Sequence, residues 1–479
     1  MMRKTKIICT LGPTTENLSE ELIKQGMDAA RVNFSHETYE IHKNRIQELK
    51  KARNKLKKPI PIIMDTKGAE IRTGIMEEKV FLQQGQEFRL VADDITGDQS
   101  KVSINPGNCI KNIDIADRIL IDDGKIKLEV KKILDNEVLC EVISGGFLSD
   151  KKGVNIPDCD LGLSTLTEKD KKDIRFALQQ GIDYIALSFV QTRKEIDIVR
   201  DILKQENFEE VKIIAKIENR RAVENIDSII DASDGIMVAR GDLGAELSLS
   251  EVPGIQKKLI KKCYLRGKPV IIATQMLESM VENPVPTRAE ASDVANAVYD
   301  GASVVMLSGE TAAGKHPLKA LKNLVDIING TEKDIDYQER FNKEDWFFEK
   351  NTVNIIGKAT TSAAFELQAK VITVSTRSGN SARMISRFRP DVPIVAVTIS
   401  SRIERQLNLS WGIYPVKADF IADIEELFQE LISCTRKTGI VEDGDLMIFI
   451  AGIPTGIKGS TNMMKIHRIG DDIITHKQE

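Results

Sequence analysis

Lysine, glutamate and aspartate side chains follow two consecutive short apolar runs, an arrangement that could hold a charged ligand. Lys216 and Glu218 lie two positions apart, so both face the same way if their run is a strand. Asp242 follows the next run and can reach the same place if the two strands are neighbours. Two carboxylates without a histidine suit a hard divalent cation such as Mg²⁺ or Mn²⁺. We therefore expect a cation here with Lys216 beside it, although a simple ion pair would also explain the pattern.

Further apolar runs also end in residues that could bind charged groups. The segments that follow these runs are Arg31–His36, Asp65–Lys67, Thr274 with Gln275, and Ser308–Glu310. One charged residue at such a position fits the solvated end of a strand. Cations and carboxylates at several strand ends have no comparable structural need, so the set predicts one functional site.

Anion-binding features accompany the predicted cation site. Gly241 and Gly244 flank Asp242 at the expected start of a short helix, where backbone N–H groups and the helix dipole favour a carboxylate or a phosphate. Arg31 and Arg72 carry forked donors that suit phosphate oxygens, although each could be an ordinary surface arginine. A cation, a lysine and arginines together indicate phosphoryl transfer, in which the protein mainly positions oxygens and neutralises charge.

These side chains need a scaffold that brings the ends of several strands together. Short β-branched runs alternate with amphipathic stretches, which is typical of βα units around a parallel sheet. The predicted strands are Lys6–Thr10, Ala29–Phe34, Pro61–Asp65, Tyr184–Phe189, Val211–Ile217, Gly235–Ala239, Val270–Thr274 and Val304–Leu307. Eight strands, each followed by a helical pattern, predict a closed (βα)8 TIM barrel with its active site at the carboxyl ends of the strands.

A long interval between the third and fourth predicted strands breaks this rhythm. Within it, the alternating segments Arg118–Asp123, Lys125–Ile133 and Glu137–Ser144 predict hairpins. We therefore expect a small all-β domain in the insertion. We assign residues 1–67 and 164–335 to the barrel and residues 68–163 to the insertion.

The residues after the barrel predict a third unit. A polar stretch, Glu332–Lys350, is expected to link the barrel to a C-terminal α/β domain that we assign to residues 336–479. In this domain a loop between a strand and a helix has the composition of a phosphate cradle, and Gly456–Ser460 could face it. A plain Ser/Gly helix cap would explain the same loop. The loop consists of Ser375, Thr376, Arg377, Ser378, Gly379, Asn380 and Ser381.

Composition argues against several classes of function. The 68 basic and 72 acidic residues leave a net charge of −4, which gives no reason to expect nucleic acid or a membrane as a partner. No apolar run reaches signal-peptide length at the N-terminus or the roughly 18 residues of a membrane span. The six cysteines and five histidines show no metal-ligand spacing. We expect a cytoplasmic protein with reduced thiols, in which oxygen ligands hold any metal.

Seven segments, in chain order, resemble the signature sequences of pyruvate kinases, and the resemblance covers nearly the whole chain. It implies a (βα)8 barrel with an inserted all-β lid domain and a C-terminal α/β domain. It also implies transfer of the phosphoryl group of phosphoenolpyruvate to ADP, giving pyruvate and ATP, with Mg²⁺ or Mn²⁺ and K⁺ as cofactors. The segments are KTKIICTLGP, ARVNFSH, MDTKGAEIRTG, IAKIEN, MVARGDLG, ATQMLESM and MLSGETA.

The same resemblance implies roles for individual residues. Glu218 and Asp242 would hold the divalent cation, and the candidate catalytic residues are Lys216, Thr274 and Arg31. Binding of the substrate is implied for Arg31, Lys216, Ala239, Arg240, Gly241, Asp242 and Thr274. The K⁺ site is implied at Asn33, Ser35, Asp65 and the carbonyl of Thr66. Binding of the nucleotide is implied for Asn33, Phe34, Ser35, His36 and Arg72.

Regulation and assembly also follow from the resemblance. The loop Ser375–Ser381 resembles the sugar-phosphate effector loop of the family, and the usual assembly is a homotetramer. Two departures stand out: Gln191 and Thr192 follow the fourth strand where some members have a nucleotide-contacting lysine, and Asn380 replaces a cation of some relatives. We expect the chain, which ends at Glu479, to lack the extra C-terminal domain of some bacterial members.

Two other functions remain open from the sequence. A metal-dependent lyase or aldolase of oxo acids would also pair Glu and Asp around Mg²⁺ on a barrel. A sugar-phosphate sensor without catalysis would need only the C-terminal loop. The set Lys216, Glu218, Asp242 and Thr274 argues against the sensor.

Overall fold

Eight parallel strands close into a barrel, which confirms the predicted fold. The third strand pairs directly with the fourth, so the insertion between them leaves the barrel closed. The computed structural model describes residues 2–122, 124–157, 166–344, 346, 349, 351–421, 423–454 and 461–472. The barrel strands, numbered one to eight in chain order, are Lys6–Thr10, Ala29–Asn33, Ile62–Asp65, Tyr184–Leu187, Lys212–Ile217, Gly235–Ala239, Val270–Ala273 and Val304–Leu307.

Helices follow the strands and cover the outside of the barrel. Thr167, Thr192 and Thr287 each begin a helix with a capping box, in which side chains satisfy backbone N–H groups of the first turn. None of the helices in the described parts of the chain has the length and apolar character of a membrane span. The helices of the barrel are Ser19–Gln25, Tyr39–Leu56, Glu168–Gln179, Arg193–Gln205, Arg220–Glu224, Ile226–Ala232, Arg240–Glu246, Val252–Leu265, Arg288–Asp300, Gly309–Ala312 and Pro317–Lys333.

Alternation along the barrel strands produces two layers of apolar packing. In the first strand, Ile8 packs inside the barrel, where Leu409 of the C-terminal domain joins the same cluster. Ile7 and Cys9, on the other face, pack in the larger cluster beneath the helices. Because apolar side chains fill the interior, the polar groups at the strand ends gather at the mouth.

The insertion forms a second closed barrel of seven strands with a separate apolar core. A two-stranded sheet, Val80–Leu82 with Gly146–Leu148, accompanies it. The predicted all-β fold of the insertion is confirmed. Its boundaries stay predictions, and the boundary at residue 163 lies outside the described residues. Asp123, at the end of the predicted segment Arg118–Asp123, also lies outside them. The seven barrel strands are Ile71–Thr73, Glu87–Val91, Lys101–Asn105, Arg118–Ile121, Ile126–Ile133, Glu137–Ser144 and Gly153–Asn155.

The C-terminal domain is α/β, as predicted, with five strands in one sheet. Strand Ile413–Lys417 is absent from the sequence pattern because it contains Pro415, which an edge strand tolerates. The polar stretch expected to be a link contains helix Tyr337–Lys343, whose Tyr337 is buried. The other strands are Val371–Ser375, Ile394–Thr398, Leu446–Gly452 and Thr461–Arg468, and the other helices are Thr352–Glu366, Asn380–Ser386, Ser401–Leu407 and Ile424–Lys437.

A buried carboxylate joins the C-terminal domain to the floor of the barrel. Asp183, which precedes the fourth barrel strand, is 0% exposed and accepts the N–H of Ile62 at 3.0 Å. Arg405 of the C-terminal domain donates to it at 2.9 Å through Nε, and its Nη2 lies 2.8 Å away. The charge of Asp183 is therefore neutralised by a residue of another domain.

Replacement of this carboxylate tests the junction. We expect Asp183→Asn to destabilise the protein by about 3–5 kcal/mol, because it leaves the guanidinium of Arg405 without its buried counter-ion. The midpoint of thermal unfolding should fall by several degrees. Glu210→Gln is the control, since Glu210 is 48% exposed and pairs with Arg402 at 3.3 Å, and an exposed pair contributes about 0–1 kcal/mol. Equal midpoints for the two variants would contradict this role of Asp183.

Candidate active site

The fifth and sixth barrel strands bring the predicted cation-binding residues to one edge of the barrel mouth. The two strands pair in parallel, and their register sets Glu218, just after one strand, level with Ala239, the last residue of the other. Helix Arg240–Glu246 begins at once, as predicted, and contains Asp242 in its first turn. Lys216 lies two residues before Glu218 on the same face of its strand.

Lys216 is the centre of a buried cluster of polar groups. Its Nζ lies 2.9 Å from Oε1 of Glu218 and 3.1 Å from Oδ1 of Asp65. It also donates to Oγ of Ser188 at 2.7 Å. Only 11% of the Lys216 side chain and 1% of each carboxylate side chain are exposed. The third and fifth strands thus deliver one cation and two anions to the same point, and the fourth adds a hydroxyl group.

The electrostatic balance keeps Lys216 and Asp65 ionised. Burial by itself would lower the pKa of Lys216, but Asp65 and then Glu218 outweigh burial, and the pKa is raised. Attraction to Asp242 raises it further, so this carboxylate lies within electrostatic range of the ammonium group. Burial would raise the pKa of Asp65, but Arg31 and Lys216 together hold it below its ordinary value.

Arg31, in the second strand, completes the neutralisation of Asp65. Its Nε donates to Oδ2 of Asp65 at 2.6 Å, and its Nη1 donates to Oγ1 of Thr10 at 3.1 Å. Because Asp65 thus binds both cations, it fixes the separation of Arg31 and Lys216. Two positive groups at a fixed separation suit the oxygens of a phosphate.

Glu218 is oriented by the loop that follows the fourth strand. Its Oε2 accepts the N–H of Phe189 at 2.6 Å. Phe189 has a φ of 53°, a left-handed conformation that few residues with a side chain adopt. Its ring lies against Gly68, where an added Cβ would come within 2.5 Å of the ring. The glycine therefore permits the contact that aims the N–H of Phe189 at Glu218.

The loop after the seventh strand is strained next to the helix that contains Asp242. Thr274 and Gln275 have φ values of 65° and 54°, and such conformations persist when surrounding contacts enforce them. The Oγ1 of Thr274 accepts the N–H of Gly241 at 2.9 Å and donates to the carbonyl of Ala273 at 2.6 Å. Thr274 is thus held against the start of the helix.

Arg240 supplies the contacts that hold this strained loop. Its Nη2 donates to the carbonyl oxygens of Thr274 and Gln275 at 2.8 and 3.0 Å. Its Nη1 pairs with Asp293 at 2.5 Å. The guanidinium of Arg240 is therefore committed to the backbone around Thr274. A substrate would instead meet backbone N–H groups at the start of helix Arg240–Glu246.

The residues expected at a K⁺ site lie together beside this cluster. Asn33 pairs in register with Asp65 across the second and third strands. The side-chain oxygen of Asn33 accepts the N–H of Ser35 at 3.1 Å, and the carbonyl of Thr66 accepts the hydroxyl of Ser188 at 2.7 Å. All four residues present oxygen atoms, so the donor set fits a hard monovalent cation.

Other predicted residues lie farther from Lys216. Arg72 belongs to the inserted barrel, where it donates to the carbonyl of Lys151 at 2.7 Å and pairs with Glu70 at 2.5 Å. Phe34 is buried and stacks on the His42 ring at 4.2 Å. His36 is exposed at the rim. Phe34 and His36 follow the second strand at the mouth, whereas these contacts of Arg72 lie within the insertion.

The pair Glu218 and Asp242 fits a divalent cation that also binds water and substrate. In the described parts of the chain, no group of three or more His, Cys, Asp or Glu side chains is arranged to hold a metal. A closed protein site is therefore not formed there. Two hard carboxylates suit Mg²⁺ or Mn²⁺, and the other coordination positions of the cation would be filled by water and by a phosphorylated ligand.

The predicted phosphate cradle of the C-terminal domain is tightly ordered by its own hydrogen bonds. Gly379 has a φ of 80°, and its N–H binds Oγ1 of Thr376 at 3.0 Å. Arg383 donates to the carbonyl of Ser378 at 3.0 Å. Ser381 hydrogen bonds to Thr461, at the start of the last strand. The facing segment Gly456–Ser460 lies outside the described residues.

Ser188 is a member of the site that the sequence interpretation missed. It stands at the predicted interior of the fourth strand, but the observed strand ends at Leu187. Its hydroxyl accepts from Lys216 and donates to Thr66, so it joins the cation cluster to the K⁺ residues. The signal was available, since Ser188 is a polar residue at the end of an apolar run, as are the other site residues.

Comparison with known proteins gives consistent matches along the chain. The family model described as pyruvate kinase, barrel domain, matches residues 2–321, and that described as pyruvate kinase, alpha/beta domain, matches residues 354–467. A pyruvate kinase of Staphylococcus epidermidis is 45% identical over 98% of this chain and 81% of its own length. A pyruvate kinase of Clostridium acetobutylicum is 43% identical over 97% of this chain and 99% of its own.

Structural comparison agrees with the sequence matches. A crystal structure of a pyruvate kinase from Cryptosporidium parvum superposes with a TM-score of 0.92 and 37% identity, covering 97% of this chain and 96% of that one. The alternative expectation of an oxo-acid lyase or aldolase finds no support in these relatives. Because both family models match in chain order and the relatives align over nearly the whole chain, this chain belongs to the pyruvate kinase family of phosphotransferases.

Proposed function

We propose that this enzyme transfers the phosphoryl group of phosphoenolpyruvate to ADP, giving pyruvate and ATP. The observation that carries the proposal is the position of Lys216, held between Asp65 and Glu218 at the barrel mouth. Phosphoryl transfer needs fixed positive charge around the moving group and little covalent chemistry from the protein. The cluster supplies that charge in a buried site, where it acts strongly.

The family resemblance implies a part for each side chain, and the contacts described above support it. Lys216 and Arg31 neutralise the phosphoryl oxygens, and Lys216 also stabilises the negative oxygen of the enolate. The N–H groups at the start of helix Arg240–Glu246 bind the substrate carboxylate. Thr274, held beside that helix by the N–H of Gly241 at 2.9 Å, adjoins the carbon that accepts a proton.

Two cations complete the site in this proposal. Glu218 and Asp242 hold Mg²⁺ or Mn²⁺, which, when bound, neutralises charge on the phosphoryl and enolate oxygens. Asn33, Ser35, Asp65 and the Thr66 carbonyl would hold K⁺, which would add positive charge to the site. We assign Phe34, His36 and Arg72 to the nucleotide, as the family resemblance implies.

The inserted barrel acts as a lid in this proposal. Asn155 in its last strand donates to Oε1 of Glu246, in the helix that contains Asp242, at 3.3 Å. The lid thus contacts the element that binds the substrate carboxylate. Closure would exclude water, which would otherwise compete for the phosphoryl group.

Lys216→Met tests the central assignment. We expect turnover in a coupled assay of pyruvate formation to fall by about 10²- to 10³-fold or more, because a buried stabilising charge is lost. Lys212→Met is the control, since Lys212 is on the same strand at the opposite end and pairs with Asp234 at 3.1 Å. Unchanged turnover in Lys216→Met would refute the mechanism, and pyruvate release without ADP would point to a lyase.

Glu218→Gln tests the divalent site by a measurement other than activity. We expect binding of Mn²⁺, followed by electron paramagnetic resonance, to weaken by at least about tenfold, because a direct ligand matters at least as much as an outer-shell partner. Glu224→Gln, at an exposed position a short distance along the chain, should bind Mn²⁺ as the unchanged protein does. Equal affinity in both variants would remove Glu218 from the site.

The K⁺ assignment predicts a separate dependence in the same protein. Replacement of K⁺ by tetramethylammonium at constant ionic strength should lower turnover, because the organic cation cannot enter a site of closely spaced oxygens. Full activity without K⁺ would exclude the assignment of Asn33, Ser35, Asp65 and Thr66.

We propose that a phosphorylated effector binds the loop Ser375–Ser381 and activates the enzyme. Coupling between sites of this kind typically changes affinity by about 5- to 150-fold. Ser378→Asp should abolish the response to a panel of sugar phosphates, because the new carboxylate repels phosphate. Ser400→Asp is the control, since Ser400 caps helix Ser401–Leu407 and Asp caps equally well. Identical kinetics with and without every effector would end this proposal.

We also propose a homotetramer in the cytoplasm. The five cysteines in the described parts of the chain are free and buried, which suits a reducing compartment. A monomeric mass by light scattering would exclude the tetramer.

A further inference from the structure

A cleft between the floor of the barrel and the C-terminal domain is rich in cationic side chains. Its empty volume is about 230 Å³ including the part open to solvent. The barrel contributes residues of the segments before the seventh and eighth strands, and the C-terminal domain contributes the end of helix Asn380–Ser386 and the residues after it. Its lining includes Lys268, Ser303, Arg383, Arg387, Arg389 and Trp411.

Arg389 is the feature of this cleft that requires an explanation. The residue is 3% exposed, yet its Nε and Nη1 have no hydrogen-bond partner. Only Nη2 is used, in bonds to the carbonyl of Gly301 at 2.8 Å and the hydroxyl of Ser303 at 3.2 Å. Its guanidinium also lies over the Trp411 ring, 4.5 Å from the centroid. A buried charged group with unused donors is costly unless something binds them.

The charge of the cleft is not balanced by its own walls. The described residues that line it include four cationic side chains and no carboxylate. Lys268 donates to the carbonyls of Ile230 and Ser233, and Arg383 to that of Ser378, all of which are neutral acceptors. Burial, assisted by repulsion from Arg340, lowers the pKa of Arg389 to about 9, so the guanidinium still carries its charge at neutral pH.

We propose that this cleft binds a phosphate group, either as inorganic phosphate or as the phosphate of a small monoester. A tetrahedral dianion would accept from Nε and Nη1 of Arg389 and compensate its charge. Water could accept the same hydrogen bonds but would not add the negative charge that a dianion brings. The cleft lies at the opposite end of the barrel from Lys216, so this ligand is distinct from the substrate.

The position of the cleft gives the ligand a defined physical effect. Its walls come from two domains, so a bound anion adds contacts across their junction and stabilises the folded protein. Arg383 lines the cleft and also binds the carbonyl of Ser378, in the loop proposed for the effector. The anion would therefore restrain the helix that connects the cleft to that loop.

Location and affinity together test the proposal on the full chain. Crystals soaked in sodium tungstate, a tetrahedral dianion, should give an anomalous peak beside Arg389, and this measurement needs no variant. Phosphate should raise the midpoint of thermal unfolding above that in sodium chloride of equal ionic strength. The same measurement is made with glycerol 3-phosphate. A larger increase in the unfolding midpoint with this compound than with inorganic phosphate would identify a monoester as the ligand class.

The matched variants are Arg389→Gln and Arg175→Gln. Arg175 is 47% exposed and pairs with Glu206 at 2.9 Å, so its replacement removes the same charge far from the cleft. We expect phosphate affinity at the cleft, measured by calorimetry, to fall at least about tenfold in Arg389→Gln, since a charge-assisted hydrogen bond is lost. No tungstate peak in the cleft, or equal affinity in both variants, would overturn the proposal.

Discussion

The paired charges of Lys216 and Asp65 are the interaction on which the barrel mouth depends. Each group is buried, and burial alone would drive both towards their neutral forms. They stay ionised because Glu218 and Arg31 supply a second partner to each, at 2.9 and 2.6 Å. Removal of any one of these four charges would therefore leave the others without full electrostatic compensation. A substrate phosphate that enters this site meets cations that are already desolvated and oriented.

Much of the surrounding structure serves to keep these groups in place. Ser188 joins the lysine to the third strand, Phe189 directs an N–H at Glu218, and Arg240 holds the backbone around Thr274. Two of these contacts require left-handed backbone conformations, at Phe189 and Thr274. At the mouth, neighbouring loops enforce strain of this kind.

The sequence predicts the barrel well because its signals are local and repeated. Each apolar run is short and buried and precedes a helix, so strand bounds differ from those expected by only a residue or two. Elements that depend on tertiary contacts were missed. Strand Ile413–Lys417 is stabilised as a sheet edge despite Pro415, and helix Tyr337–Lys343 buries its aromatic side chains against other parts of the chain.

The candidate site shows the same division between local and long-range information. The position of Glu218 and Asp242 at neighbouring strand ends follows from the alternation of runs. The guanidinium of Arg240 could not be assigned in that way, because its partners Gln275 and Asp293 come from distant segments. The role of Ser188 depended on where the fourth strand stops, and strand ends are the least determined part of a sequence pattern.

The inserted barrel has its own apolar cluster, and among the described residues none is shared with the core of the (βα)8 barrel. Substitutions can therefore change the packing of the insertion without changing the packing of the (βα)8 barrel. Evolution can change the shape and charge of this domain piecemeal, while the strands that carry Lys216 and Asp65 remain under separate selection. Divergence among related chains should accordingly be greater in the insertion than at the mouth that it covers.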